Sequence, residues 1–233
     1  MEYCILEQNI KEGLSPIITI DGPSGTGKGT MALRLARYLD WHILDSGALY
    51  RVLALQVQQQ AISLEDEAIV THLAHQLEIH FEPTADLSEL AIFSAGQDIT
   101  YALRTESCAA FASQLATLEN VRSALLKVQR NFLKPPGLVA DGRDMGTIVF
   151  PNAAIKIFLT ASPEERAIRR YKQLKRKGTD VNIAKLTEEI AERDERDRTR
   201  AVAPLIPAPS AHLLDTTGLS VETVMAEILQ LVS

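Results

Sequence analysis

The segment IITIDGPSGTGKGT, residues 17–30, decides the fold. Ile17 to Ile20 form a short run rich in β-branched residues, suited to a buried parallel strand, and it stops at Asp21. Gly22, Gly27 and Lys28 then satisfy G-x-x-x-x-G-K, with Gly25 between them. Glycines let backbone N–H groups turn inward around phosphate oxygens, and a helix beginning here adds its positive end. Lys28 brings a point charge to the terminal phosphates. The candidate phosphate-binding residues are Gly22, Pro23, Ser24, Gly25, Thr26, Gly27, Lys28, Gly29 and Thr30. A chance glycine-rich turn would lack the strand before and the helix after. Gly29, not Ser or Thr, follows Lys28, so the side-chain hydroxyl that holds magnesium in GTPases is displaced to Thr30. Magnesium would then be held mainly by phosphates and water, with Thr30 as an available ligand.

Outward from this loop, four further apolar runs read as strands: Trp41–Asp45, Gly137–Asp141, Ala154–Thr160 and Ala211–Asp215. With the first, taken as Pro16–Asp21, they make five. Helical patterns alternate with them, at Gly27–Leu39, Ser107–Leu133, Pro163–Lys177, Ile183–Arg200 and Val221–Leu231. The expected class is α/β, a five-stranded parallel sheet flanked by helices. Three strands end in an acidic residue followed by a small one (Asp21-Gly22, Asp45-Ser46, Asp141-Gly142), at the sheet edge where such folds bind ligands. Residues 49–113 are too many for a plain crossover and contain short alternating stretches at Leu77–Glu82 and Leu90–Ile99, so they read as an inserted subdomain. The core is then 15–48, 114–165 and 189–233, with 166–188 a helical lid. The proline-broken run Ala201–Pro209 is a loop.

Composition sets the class of partner. The 233 residues are 46% hydrophobic and 23% charged, as in globular domains, and no window approaches a membrane-spanning length. The first fourteen residues lack the basic start and apolar run of a secretory leader. Two cysteines, Cys4 and Cys108, are too few for a disulfide framework, which points to a reduced, cytoplasmic protein. The net charge of -6 argues superficially against an anionic substrate. Residues 156–200, however, hold 13 of the 24 Lys and Arg against 9 of the 30 Asp and Glu, a local +4.

That basic region and two strand ends supply a second anion site. Asp45-Ser46-Gly47 is followed by Tyr50 and Arg51, and DGRDMG carries Arg143 and Asp144. Arg193, Arg196, Asp197 and Arg200 recur at i, i+3, i+4 and i+7 and share one helical face. The bland alternative is a solvated helix: Glu189–Arg193, Glu192–Arg196 and Asp194–Arg198 are i,i+4 pairs of about 0.2–0.5 kcal/mol each. Arg200 has no such partner and is the strongest candidate, with Arg193 and Asp197 next. Arg51 alone also fits a solvated helix, and Arg143 a structural ion pair. Arg166, Arg169 and Arg170, before Lys175-Arg176-Lys177-Gly178, fit a lid that closes on donor phosphates and excludes water. A nucleic-acid surface is disfavoured, because the stripe is acid-balanced and lacks interleaved aromatics.

His42, His72, His75, His80 and His212 form no metal-ligand pattern, and neither G-x-S-x-G nor a Cys-His pair occurs. A hydroxyl acceptor calls for a carboxylate base, whereas a phosphate acceptor is already anionic at pH 7. Many arginines without an evident base therefore favour phosphoryl transfer to a phosphate.

GPSGTGKGT, LDSGALYR, ADGRDMGTIVFP, KIFLTAS and ERDERDRTRAVAPL, in this order from Ile17 onward, resemble the motifs of the bacterial cytidylate kinases. The resemblance implies a P-loop nucleoside monophosphate kinase that transfers the γ-phosphate of ATP, with Mg2+, to CMP and dCMP. Its inserted subdomain would bind the monophosphate. By the same resemblance Arg51, Arg143 and Arg200 hold the acceptor phosphate with Ser46 nearby, and Arg193 and Asp197 contact the ribose. Ser113, Arg122 and Asp144 read cytosine, and Arg170 approaches the transferred phosphate. Lys28, Arg143, Arg170 and Arg200 would thus be catalytic. The match departs most at Phe111, beside Ser113, where small residues are more usual. The implied partners are ATP and CMP or dCMP, with neither a nucleic-acid polymer nor a membrane, and the chain is taken as a monomer. A uridylate or adenylate kinase, or a nucleotide-binding regulator without catalysis, are the alternatives.

Overall fold

The computed structural model describes residues 15–84, 89–176, 178 and 181–232. In chain order its elements begin with β1 (Ile17–Asp21), α1 (Lys28–Leu39), β2 (His42–Asp45), α2 (Ser46–Gln59) and α3 (Glu67–His75). Then come β3 (His80–Pro83), β4 (Leu90–Ser94), β5 (Gln97–Asp98), α4 (Glu106–Leu115) and α5 (Glu119–Arg130). The chain finishes with β6 (Leu138–Gly142), β7 (Ile155–Thr160), α6 (Pro163–Arg176), α7 (Ile183–Thr199), β8 (His212–Asp215) and α8 (Val221–Val232).

The five expected core strands form one parallel sheet in the order β2-β6-β1-β7-β8. Each begins one residue later than its apolar run. Side chains alternate between the faces with period two. Ile18, Ile20, Val139, Ile155 and Ile157 pack on α1 and α8, while Leu44, Leu138 and Ala140 pack on the opposite side with α2 and α5. Both faces are buried, which is why the strands read as continuous apolar runs. β1 lies at the centre, so the loop after it opens beside the ends of β6 and β7.

β3, β4 and β5 form a separate three-stranded antiparallel sheet in that order. The helix expected at Ser107–Leu133 is instead two, α4 and α5. Thr105 Oγ1 caps the first by accepting from Cys108 N at 3.1 Å, and Leu118 leaves helical geometry at φ −80°, ψ 117°. Thr117 Oγ1 donates to Gln114 O at 2.7 Å, a local bond that competes with continuing the helix. Helical periodicity alone does not register such a break, because apolar positions continue on both sides. α6 and α7 share a small apolar seam of Ala167, Leu174, Leu186 and Ile190. Among the described residues no helix is long and apolar enough to cross a membrane. The leader expectation for residues 1–14, Cys4, and the Lys177 position of the basic run lie outside the described residues.

Candidate active site

The phosphate loop is shaped by close packing. Gly22 has φ +142°, and a Cβ there would stand 2.1 Å from Leu159 O, so no other residue fits. Gly27 precedes α1 in the left-handed region, at φ 93°. Inside the loop Lys28 Nζ donates to Pro23 O at 2.8 Å and Thr26 Oγ1 to the same carbonyl at 3.1 Å. Two arginines of α6 brace it: Arg166 donates to Ser24 O at 3.0 Å and Arg169 to Thr26 O at 3.3 Å.

Three strand-end carboxylates surround Lys28, but they do different work. Asp21 is structural: it accepts from Met145 N and Gly146 N, both at 2.8 Å, and burial raises it to about 6. Asp45 caps α2 by accepting from Ala48 N at 3.0 Å. Asp141 is buried, and burial outweighs Lys28 to raise it to about 7. Burial, reinforced by Arg143, lowers Lys28 to about 8. Asp141 Oδ2 lies 3.3 Å from where a Cβ on Gly29 would stand, so a carboxylate oxygen occupies space beside the position where a loop hydroxyl is usual.

Beside the loop is a second pocket. All nine residues expected at the acceptor site line it: Ser46, Arg51, Ser113, Arg122, Arg143, Asp144, Arg193, Asp197 and Arg200. They converge from α2, α4, α5, the β6 end and α7. The break between α4 and α5 makes this convergence possible, since Ser113 lies before it and Arg122 after it. Arg122 Nη1 also donates to Ala116 O at 3.3 Å, closing the end of α4. Its other arm pairs with Asp144.

The pocket carries five arginines against two carboxylates, Asp144 and Asp197. Arg143 Nε binds Asp197 Oδ2 at 2.9 Å, and Arg51 Nη1 donates to Leu103 O at 3.0 Å. Burial, with repulsion from Arg51 and Arg143, lowers Arg193 to about 10. Arg200 is held by its Nε, which donates to Ala203 O at 2.6 Å. Its buried Nη2 has no hydrogen-bond partner and stands 3.9 Å from Asp144 Oδ1. An orphaned guanidinium donor in a pocket of net positive charge has the chemistry to pair with an anion.

Lys28 is in the loop rather than the pocket, and Arg170 is brought into neither. Arg170 Nε binds Glu106 Oε1 at 2.9 Å and its Nη1 donates to Gln173 Oε1 at 2.6 Å. The alternative of solvated i,i+4 pairs on α7 gives way to other partners. Arg193 donates to Ser24 Oγ at 3.4 Å, Arg196 to Ser113 Oγ at 2.9 Å, and Arg198 pairs with Glu195 at 2.8 Å. Asp194 pairs with Arg166. Sequence reading assigned no role to Tyr50, whose side chain forms a pocket wall, or to Gln129, which accepts from Ser46 Oγ at 2.8 Å. Tyr50 stands beside Arg51 in LDSGALYR, whereas nothing local marks Gln129.

A family model described as cytidylate kinase matches residues 18–233. The chain is 52% identical over 218 residues to the cytidylate kinase of Shewanella frigidimarina, covering 94% of this chain and 95% of that one. It is 56% identical over 214 residues to that of Stutzerimonas stutzeri, covering 92% and 93%. Against the enzyme of Colwellia psychrerythraea the identity is 53% over 215 residues, covering 92% and 95%. A strand-loop-helix built for phosphates, an arginine-lined pocket beside it and identity along nearly the whole chain converge on one assignment: the chain belongs to the cytidylate kinase family.

Proposed function

We propose that the protein transfers the γ-phosphoryl group of ATP to the 5′-phosphate of CMP and dCMP, giving CDP and dCDP. The observation that carries this reading is the unpartnered Nη2 of Arg200 in a pocket with five arginines and two carboxylates, next to the Lys28 loop. Such a pocket suits a dianion that is itself the nucleophile, so no protein base is required. Arg51, Arg143 and Arg200 hold the acceptor phosphate, with Ser46 beside it, and Lys28 with the loop N–H groups holds the donor. Catalysis then rests on positioning and charge neutralisation, where orientation alone supplies roughly 7–11 kcal/mol.

Base recognition follows from polarity. Asp144 accepts from the exocyclic amino group of cytosine, while Arg122 donates to the ring nitrogen and carbonyl. Uracil would turn a carbonyl toward Asp144, a repulsive contact. Arg193 and Asp197 face the ribose. We assign residues 49–113 to monophosphate binding and 166–188 to a lid that excludes water. Closure would exchange the Glu106 partner of Arg170 for phosphate oxygens. Since Gly29 offers no hydroxyl, Asp141 and Thr30 are the residues that would hold Mg2+ or its waters, and the oxygen of Asp141 beside Gly29 suits a hard cation. That ion would neutralise charge on the donor phosphates. Substrates of this kind are free cytoplasmic nucleotides, and the cytoplasm is where we expect the protein to act.

ADP release measured across CMP, dCMP, UMP, AMP and GMP tests the reading. CMP and dCMP should lead; faster turnover of UMP or AMP would refute the base assignment. Replacing Lys28 by Ala should abolish turnover.

A further inference from the structure

Arg196 is the one member of the α7 arginine face that the phosphate and ribose assignments leave unused. Its Nη1 donates to Ser113 Oγ at 2.9 Å, across from α7 to α4. Ser113 is 9% exposed and lines the acceptor pocket, whereas Arg196 is half-buried and is absent from the pocket wall. Arg196 therefore reaches the pocket through Ser113. A serine hydroxyl has one proton and two lone pairs and turns freely about its bonds. The bond from Arg196 takes one lone pair and restrains the rotamer, leaving one proton and one lone pair available to a base in the pocket. A guanidinium donor also polarises the hydroxyl, which strengthens the bond its proton makes.

We infer that Arg196 is a positioning residue for base recognition: it holds the Ser113 hydroxyl in the orientation that reads the monophosphate base. The inference rests on the base-reading role of Ser113 given above. It also ties that role to α7, since Arg193 and Asp197 lie on the same helix, three residues before Arg196 and one after it. Seating the ribose against α7 and orienting the base reader against α4 then become one event.

The test is a double-mutant cycle of Arg196→Ala and Ser113→Ala, read by steady-state kinetics with whichever monophosphate the wild type turns over best. Each single variant should raise KM for that monophosphate about tenfold with kcat and KM for ATP nearly unchanged, and the double variant should match Ser113→Ala alone. Selectivity against the next-best monophosphate should fall in parallel, and Arg196→Lys, which keeps one donor, should recover part of it. Thermal melting of each variant separates this effect from folding. Effects that multiply in the double variant would overturn the inference. So would a loss confined to melting temperature, or an equal loss for every monophosphate. The wild-type substrate profile is a separate outcome: preference for a nucleotide other than CMP or dCMP would refute the assigned substrate while leaving the coupling measurement decisive.

Discussion

Replacing Arg200 by Met separates a functional charge from a stabilising one. Met keeps much of the packing volume and removes the guanidinium. The variant loses the bond from Nε to Ala203 O at 2.6 Å, worth about 1.5–3 kcal/mol for a charged donor. It also loses an ion pair at 3.9 Å, too long for a hydrogen bond. Against this, it relieves a buried donor without a partner, a penalty of about 1–3 kcal/mol. It further removes the burial and the repulsion from Arg122 that lower the pKa of Arg200. These terms nearly cancel, so stability should change by no more than about 1 kcal/mol, a melting shift within roughly 4 °C. Catalysis has no such cancellation. Two charge-assisted bonds to the acceptor phosphate are worth about 3–4 kcal/mol together, so kcat/KM for CMP should fall about 10²- to 10³-fold. Differential scanning fluorimetry and a coupled ADP assay measure the two quantities on one preparation. A melting temperature lowered by more than about 10 °C with kcat/KM within threefold of wild type would show that Arg200 is a structural cap, and the reasoning would fail.

Asp144→Asn should narrow the preference for CMP over UMP, because an amide can donate to a uracil carbonyl. It should also destabilise the fold, by about 3–5 kcal/mol, since Arg122 is left buried without its counter-charge. Substrate competition and urea titration read the two effects. For the free enzyme, kcat/KM should rise through pH about 7, as Asp141 ionises, and fall above about 8, as Lys28 loses its proton. A flat profile in Asp141→Asn on the acid side would assign that limb. The stability signs follow from the same shift. The Asp141 pKa is raised on folding, so its contribution is fully present below about pH 4 and lost as pH rises through about 7. Urea titrations between these limits should slope less in Asp141→Asn. Gly22→Ala should prevent folding or yield insoluble protein, because its Cβ would collide with Leu159 O; a variant that melts like wild type would contradict the geometry.

The parallel sheet was legible because both of its faces are covered, which leaves long apolar runs ending at Asp21, Asp45 and Asp141. The glycine loop was legible because backbone geometry restricts residue type locally. Helix continuity was not: Leu118 breaks α4 from α5 without glycine or proline, and the gain is tertiary, setting Ser113 and Arg122 around one pocket. The α7 pairings stayed open between two readings, since i,i+4 spacing describes an isolated helix. Arg193 and Arg196 face other elements and take Ser24 and Ser113 as partners.

By itself the sequence determined the order of the five core strands along the chain, the donor loop and the arginines available for an anion. These depend on period, residue type and spacing, which act over a few residues. Only the tertiary structure decided which carboxylate does which work. Asp21 is consumed by two backbone N–H groups of the segment after β6, and Asp45 caps a helix. Asp141 remains buried beside Gly29 with its pKa raised to about 7. Their local motifs are nearly alike; desolvation and the neighbours brought from distant segments separate them.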